Sequence, residues 1–254
     1  CGRPHAAMSV NSILRCDEAQ RLEWRMTEIL GRVEAVLSGR AVPYTRPGTR
    51  SAIAKQIVGG SVAVGPEGLA CDEQGDRRAH GGPDKAVHHY AREHYAHWRA
   101  ELGELPVLGR PGAFGENLST AGFTESGICI GDRLRIGTVL LEVSQSRQPC
   151  WKLNDRFGRA DMARLVQQTG RTGWYYRVIE PGVLQAGDAV LLVARPYPAW
   201  TLQRLIDALY RRMLDTATLS EMLTLPLTPS WRRLTSGRLA QRKVEDWSAR
   251  IDGP

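Results

Sequence analysis

The stretch DRLRIGTVLLEVSQSRQPCWKL, residues 132–153, decides how the chain is read. In Asp132–Ile136 the apolar Leu134 and Ile136 alternate with Arg133 and Arg135. That period of two puts one face of a strand against a core. Val139–Val143 is a second, more apolar strand. The same signature recurs outward from it. Gly31–Leu37 alternates and ends at a Ser38-Gly39 turn, and Ala52–Val58 and Gly60–Val64 flank Gly59-Gly60. Ala113–Leu118, Trp174–Ile179 and Ala189–Val193 are further short strands. Many short strands punctuated by Gly and Pro point to a barrel or sandwich. Two helices are expected within it. Asp84–Leu102 sets Tyr95, Trp98 and Leu102 on one face, and Met162–Gln168 is closed by Gly170.

After Arg195-Pro196-Tyr197-Pro198 the pattern changes. Thr201–Leu214, Thr218–Leu225 and Ser230–Arg250 read as helices, with Pro226 and Pro229 as breaks. The expected fold is therefore mostly β, a β-barrel with inserted helices, plus a small C-terminal three-helix appendage. The expected divisions are an N-terminal extension at 1–25, a barrel domain at 26–196 and a helical domain at 197–254. The extension carries at most a short polar helix over Asp17–Met26.

Composition narrows the function. Of 254 residues, 42% are hydrophobic and 24% charged, which excludes a wholly disordered chain. The longest apolar run, near Ala189–Ala194, is too short to cross a bilayer, and no leader pattern opens the sequence. Net charge is +7, but the basic residues are spread along the chain. Direct nucleic-acid binding is not expected, whereas anionic ligands are favoured. Five cysteines at 1, 16, 71, 129 and 150 form no CxxC pair. Their odd number and wide spacing argue against a disulfide framework, a zinc ribbon or a cluster ferredoxin. A reducing, cytoplasmic setting is expected.

Three blocks carry candidate chemistry. In Asp76–Val87, Gly81 and Gly82 let backbone N–H groups approach an anion, beside His80 and Lys85. A tight turn ahead of a helix explains the same residues. In Gly112–Leu118, Asn117 could orient a ligand through its amide, although turn chemistry also accounts for it. In Ser144–Leu153, Cys150 follows a proline and stands between Arg147 and Lys152. Cations so near favour thiolate, the form that attacks or binds metal. A lone cysteine is more often a small core residue; that reading suits Cys129, within Ile128-Cys129-Ile130, better than Cys150. Only four of the 34 basic residues are lysines, and Lys55, Lys85 and Lys152 fall in or beside these blocks. A compact ammonium suits phosphate contact. A rival site is His89, Glu93 and His97, spaced four apart on the expected helix. It offers a possible zinc face, though not the H-E-x-x-H order. The aromatics Trp174, Tyr175 and Tyr176 are read as core or interface.

Taken together, SAIAK (51–55), DEQGDRRAHGGPDKAVHHYAREHY (72–95), GAFGENLSTAGFTES (112–126), IGD (130–132), VSQSRQPCWKLN (143–154) and TGWYYRVIEPG (172–182) resemble the MOSC domain family, in its YiiM-like branch. The helical tail, with SWRR (230–233) and GRLAQRKVEDWS (237–248), resembles that branch's three-helix appendage. The resemblance runs from about Met26, which reads as a natural start. Cys71 departs from it, standing where a glycine is usual, and puts a role for Leu69–Glu73 in doubt.

The resemblance implies a MOSC-type barrel that binds the molybdenum cofactor, molybdopterin. It implies that Cys150 is both the thiolate ligand to molybdenum and the catalytic residue. Lys55, Lys85, Arg147 and Lys152 would surround the pterin and its phosphate, with His80, Gly81, Gly82 and Asn117 lining the cofactor or substrate side. The implied activity is reduction of N-hydroxylated compounds, such as 6-N-hydroxylaminopurine, to the amine. Neither a G-x-G-x-x-G fingerprint nor cluster spacing occurs, so electrons are expected from a partner reductase. The appendage would dock that partner or simply cover barrel surface. The alternative is a carrier that holds sulfur or the cofactor on Cys150 without turnover.

Overall fold

The computed structural model describes residues 28–75, 81–211 and 214–253. The 1–25 extension, the Asp17–Met26 helix and His80 lie outside the described residues. The strands are β1 (Glu28–Ser38), β2 (Val42–Pro43), β3 (Arg50–Ser51), β4 (Gln56–Ile57), β5 (Val62–Gly65), β6 (Gly68–Leu69), β7 (Val87–Ala91), β8 (Leu118–Ala121), β9 (Arg133–Ile136), β10 (Val139–Ser146), β11 (Trp174–Glu180), β12 (Gly182–Leu184) and β13 (Ala189–Ala194). The helices are α1 (Glu93–Leu102), α2 (Lys152–Phe157), α3 (Met162–Thr169), α4 (Leu202–Tyr210), α5 (Thr216–Met222), α6 (Pro229–Gln241) and α7 (Ser248–Ile251).

Seven strands close a barrel in the order β13-β9-β10-β11-β7-β8-β1, with β1 pairing back to β13 and β4 added beside β1. Closure removes the open edges that a flat sheet would expose. The quoted stretch supplies its central hairpin, β9 to β10, with Ile136 opposite Val139. The barrel pairs are antiparallel except β7 with β8. Strand β1 is long enough to serve several neighbours because its register shifts at Ile29/Gly31 and Val33/Ala35. Such bulges bend a strand and raise its twist, which lets it pair with β13 at one end and with β8 and β4 further on.

The appendage has no core of its own. Leu134, Leu141 and Val190 of the barrel share one apolar cluster with Leu205, Leu219 and Trp231 of α4, α5 and α6. A second cluster, around Tyr90, Tyr95, Trp98, Phe114 and Phe157, packs α1, α2 and α3 beside the barrel.

Four elements differ from the sequence reading. Asp84–Leu102 is not one helix: Val87–Ala91 is a barrel strand, and α1 starts only at Glu93. All five β7 residues are buried, so neither a period of two nor 3.6 was visible. Ala52–Val58 forms a strand only at Gln56–Ile57, because Ser51–Lys55 crosses a cavity instead. Ala113–Leu118 is mostly loop, and its strand is displaced to Leu118–Ala121. Ser230–Arg250 is two helices, α6 and α7, separated after Gln241.

Splitting the first of these dissolves the proposed zinc face. His89 points into the barrel, stacked on Trp174 at 4.1 Å and hydrogen-bonded to Thr120 (2.5 Å) and Tyr176 (2.9 Å). Glu93 instead accepts the Gly122 N–H at 2.7 Å. Among the described residues no group of three or more His, Cys, Asp or Glu is placed to hold a metal.

Candidate functional site

Alternation along β7 and β11 builds one wall of the site. His89, Trp174 and Tyr176 face the barrel interior, so their neighbours His88 and Tyr175 face the other way. Those two rings lie 4.9 Å apart and line an inner cavity of about 80 Å³. Arg147, just past the end of β10, lies against the same wall, with its N–H on the Gly173 carbonyl at 3.0 Å and its side chain lining the cavity with Tyr175. Gly173 has φ +69°, and a Cβ there would strike the His89 carbonyl and approach His88 Nε2 at 3.1 Å. Only glycine allows this close passage.

The opposite wall is the Ser51–Lys55 loop with Asp72–Gly75. The inner cavity opens past Cys150, Lys85, Lys152 and Tyr175 into an outer cleft of about 740 Å³. Cys150 borders both spaces and is 6% exposed, whereas Cys129 is 1% exposed and lines neither. The sulfur sits at a doorway rather than in packed hydrocarbon.

Each expected residue other than His80, which lies outside the described residues, has a definite place. Lys55 is buried and pairs with both Asp72 oxygens at 2.5 Å. Burial draws its pKa below the usual lysine range, against the opposing pull of Asp72. Asn117 lines the cavity, but its amide is committed: Nδ2 donates to Leu37 O and Asp72 Oδ2, and Oδ1 accepts the His88 N–H. It therefore orients Asp72 and β7. Lys152 Nζ donates to the Arg50 carbonyl at 2.8 Å, at the edge of the outer cleft. Lys85 follows Gly81 and Gly82 and borders both spaces, but those glycines do not line either one. Gly82 N–H instead reaches Gln74 Oε1 at 3.4 Å.

Three site residues escaped the sequence reading. Asp72 accepts hydrogen bonds from Gly39 N (2.7 Å), Lys55 and Asn117, and so ties three segments together. It lies in the motif 72–95, next to Cys71, and a carboxylate in a turn segment has no local signal that marks it as a tie between distant strands. The sequence reading places His88 on a helix and Tyr175 in the core; strand alternation beside Trp174 is the signal that sets both on the cavity side.

Charge and unsatisfied groups say what the site accepts. Six cations, Arg50, Lys55, Lys85, Arg147, Lys152 and Arg250, border the two spaces, against the carboxylates Asp72 and Glu73. Glu73 is partly neutralised by Arg40 at 2.6 Å. An anionic ligand is thus favoured. Two buried atoms here, Arg147 Nη1 and His88 Nε2, have no hydrogen-bond partner among the described residues. Burial, followed by the Arg147 charge, holds His88 well below the usual histidine range, so its ring is neutral near pH 7. Orphaned buried polar atoms are costly unless a ligand or water completes them.

The closed barrel thus carries three helices, α4, α5 and α6, packed against its own apolar cluster. The MOSC domain family model matches residues 76–191, and that of the YiiM-like 3-alpha helix domain matches residues 200–242. The chain belongs to the MOSC family, in its YiiM-like branch. It is 42% identical over 227 residues to Protein YiiM of Escherichia coli strain K12, covering 86% of this chain and 97% of that one. It is 40% identical over 190 residues to a Gibberella moniliformis protein named Reductase, covering 74% of this chain and 34% of that longer protein. The crystal structure of YiiM from Escherichia coli matches with a TM-score of 0.73 at 35% identity, over 87% of this chain and 98% of that one. YiiM from Geobacillus stearothermophilus gives 0.71 at 31%, over 82% and 99%. Among the described residues no helix is long and apolar enough to cross a membrane.

Proposed function

We propose that this protein is a reductase of small N-hydroxylated compounds that works with a molybdenum–pterin cofactor bound at Cys150. The observation that carries the reading is the position of Cys150, between an inner cavity and an outer cleft that are both rimmed by cations. The similarity to a protein named Reductase supports the reaction class.

The residues fit such a group. Cys150 offers a soft thiolate to the metal. Lys85, Lys152 and Arg147 offer charge to a phosphate, and the orphaned Arg147 Nη1 and His88 Nε2 offer polar contacts to a pterin or a substrate heteroatom. An outer cleft of about 740 Å³ is in the range of cofactor sites. When bound, the cofactor supplies two electrons for N–O cleavage, and with two protons the N–OH compound becomes the amine and water. Lys55 Nζ, made more acidic by burial, is the proposed proton donor, with Asp72 holding it in place. His88, neutral, accepts or donates one hydrogen bond without adding charge. The chain carries no dinucleotide fingerprint, so the electrons are assigned to a partner reductase.

Metal and pterin analysis tests the reading on protein made in a host that synthesises the cofactor. Near-stoichiometric molybdenum and pterin are expected, lost in Cys150→Ala and kept in Cys129→Ala. Retention of both in Cys150→Ala refutes it. A stable persulfide on Cys150, without reductase activity under an artificial donor, makes the protein a sulfur carrier instead.

A further inference from the structure

Helix α7 lies about a hundred residues from Cys150 in sequence and beside its loop in space. The Arg250 carbonyl accepts the Trp151 N–H at 2.8 Å. The Arg250 guanidinium Nη1 donates to the Pro149 carbonyl. One residue thus holds the peptide groups on both sides of Cys150. Its other arm, Nη2, donates to Gln167 Oε1 of α3 at 2.6 Å, which braces the clamp. Asn154 Nδ2 of α2 reaches the Ile251 carbonyl at 2.8 Å. Ala249 and Arg250 also line the outer cleft that Cys150 borders. Ala249 is exposed, so its side chain has room to grow. Helix α7, with Ala249, Arg250 and Ile251, lies outside the segments matched to the two family models, 76–191 and 200–242, while its partners Pro149, Trp151, Asn154 and Gln167 lie within the first.

We propose that α7 is a working wall of the site. Arg250 is a positioning residue that fixes the Cys150 loop, and Ala249 bounds the mouth and limits the size of molecule that reaches the thiol. The appendage then does more than cover barrel surface, because its last turn selects what enters. The inference rests on the proposed function for the identity of the entering molecule, but its claim about the thiol needs no cofactor.

The test uses the full chain without cofactor and follows thiol alkylation residue by residue by mass spectrometry. Iodoacetamide is the small probe and fluorescein maleimide the bulky one. Cys129 serves as an internal control for global opening. Arg250→Ala removes a charge-assisted hydrogen bond beside the thiol, so the iodoacetamide rate at Cys150 should rise roughly tenfold or more while Cys129 stays protected. Arg250→Lys keeps a cation able to reach the Pro149 carbonyl and should stay within about threefold of the parent. Ala249→Phe should slow the maleimide roughly tenfold and leave iodoacetamide within about twofold, a steric effect that general loosening does not produce. An unchanged Cys150 rate in Arg250→Ala, or an equal rise at Cys129, overturns the positioning role. Equal effects of Ala249→Phe on both probes overturn the size limit. Should Arg250→Ala not fold, Arg250→Met, which keeps the stem but has no donor, takes its place with the same expected rise at Cys150, and a rate equal to the parent's there rejects the positioning role. Absence of molybdenum and pterin would defeat the cofactor reading and leave these results standing.

Discussion

Removing the Asp72 carboxylate is the sharpest probe of the inner cavity. Asp72 and Lys55 have side chains only 10% and 7% exposed, and their charged atoms meet at 2.5 Å. Asp72→Ala leaves the Lys55 ammonium buried without its counter-ion, a change that costs about 3–5 kcal/mol in comparable buried pairs. Lys55→Met should cost less, about 1–3 kcal/mol, because Asp72 still accepts from Gly39 N and Asn117 Nδ2. In the double variant no buried charge is left over. Its loss should therefore fall short of the sum of the singles by at least about 2 kcal/mol. Urea unfolding of the four proteins at pH 7, compared by midpoint and slope, measures this coupling. Additive losses, with Asp72→Ala costing under about 1 kcal/mol, would show that water already screens the pair. The cavity could then not make Lys55 more acidic, and its role as proton donor would fall with it.

Two further outcomes follow from the buried polar groups. Burial holds His89 down to about 3 in the folded state, against 6.5 unfolded. Between those values the unfolded chain binds the proton and the folded one does not, so stability falls with falling pH, by about 1.4 kcal/mol per unit from this residue. His89→Gln should flatten the pH dependence of the unfolding free energy, taken from urea titrations between pH 6 and 5, by about that slope, and an unaltered slope would contradict the neutral buried ring. Glu116 is fully buried and accepts from Gly112 N (2.7 Å), Phe114 N (3.1 Å) and Tyr95 Oη (2.5 Å). Glu116→Ala orphans three donors and should cost at least about 3 kcal/mol, a fall of roughly 6–12 °C in Tm by calorimetry, whereas a fall under 2 °C would mean that the loop repacks.

Much of the fold was legible in local pattern. The strands around β9, β10, β11 and β13 have apolar repeats or runs bounded by glycine and proline, and α3 ends at Gly170 with φ +76°, the left-handed stop expected of it. Strand β7 was not legible, because a segment buried on both faces loses its polar marker. Of the site, Cys150 and its flanking cations stood together in one short segment. Asp72, His88 and Tyr175 did not, and Arg250 stood in a helix with no chemical signature. Their roles come from hydrogen bonds and walls shared between elements far apart in the chain.

The sequence by itself determined the strand-rich barrel, the change to helices after Pro198, the family and the thiol on which the chemistry is proposed to turn. These rest on residues within a few positions of one another, where periodicity and neighbouring charge act directly. The tertiary structure decided which atoms confront that thiol. Barrel closure set His88 and Tyr175 outside while their neighbours turned inward, and packing of the helical tail brought Arg250 onto both sides of Cys150. Such contacts depend on register and closure, which involve the whole sheet at once and leave no mark in any single stretch.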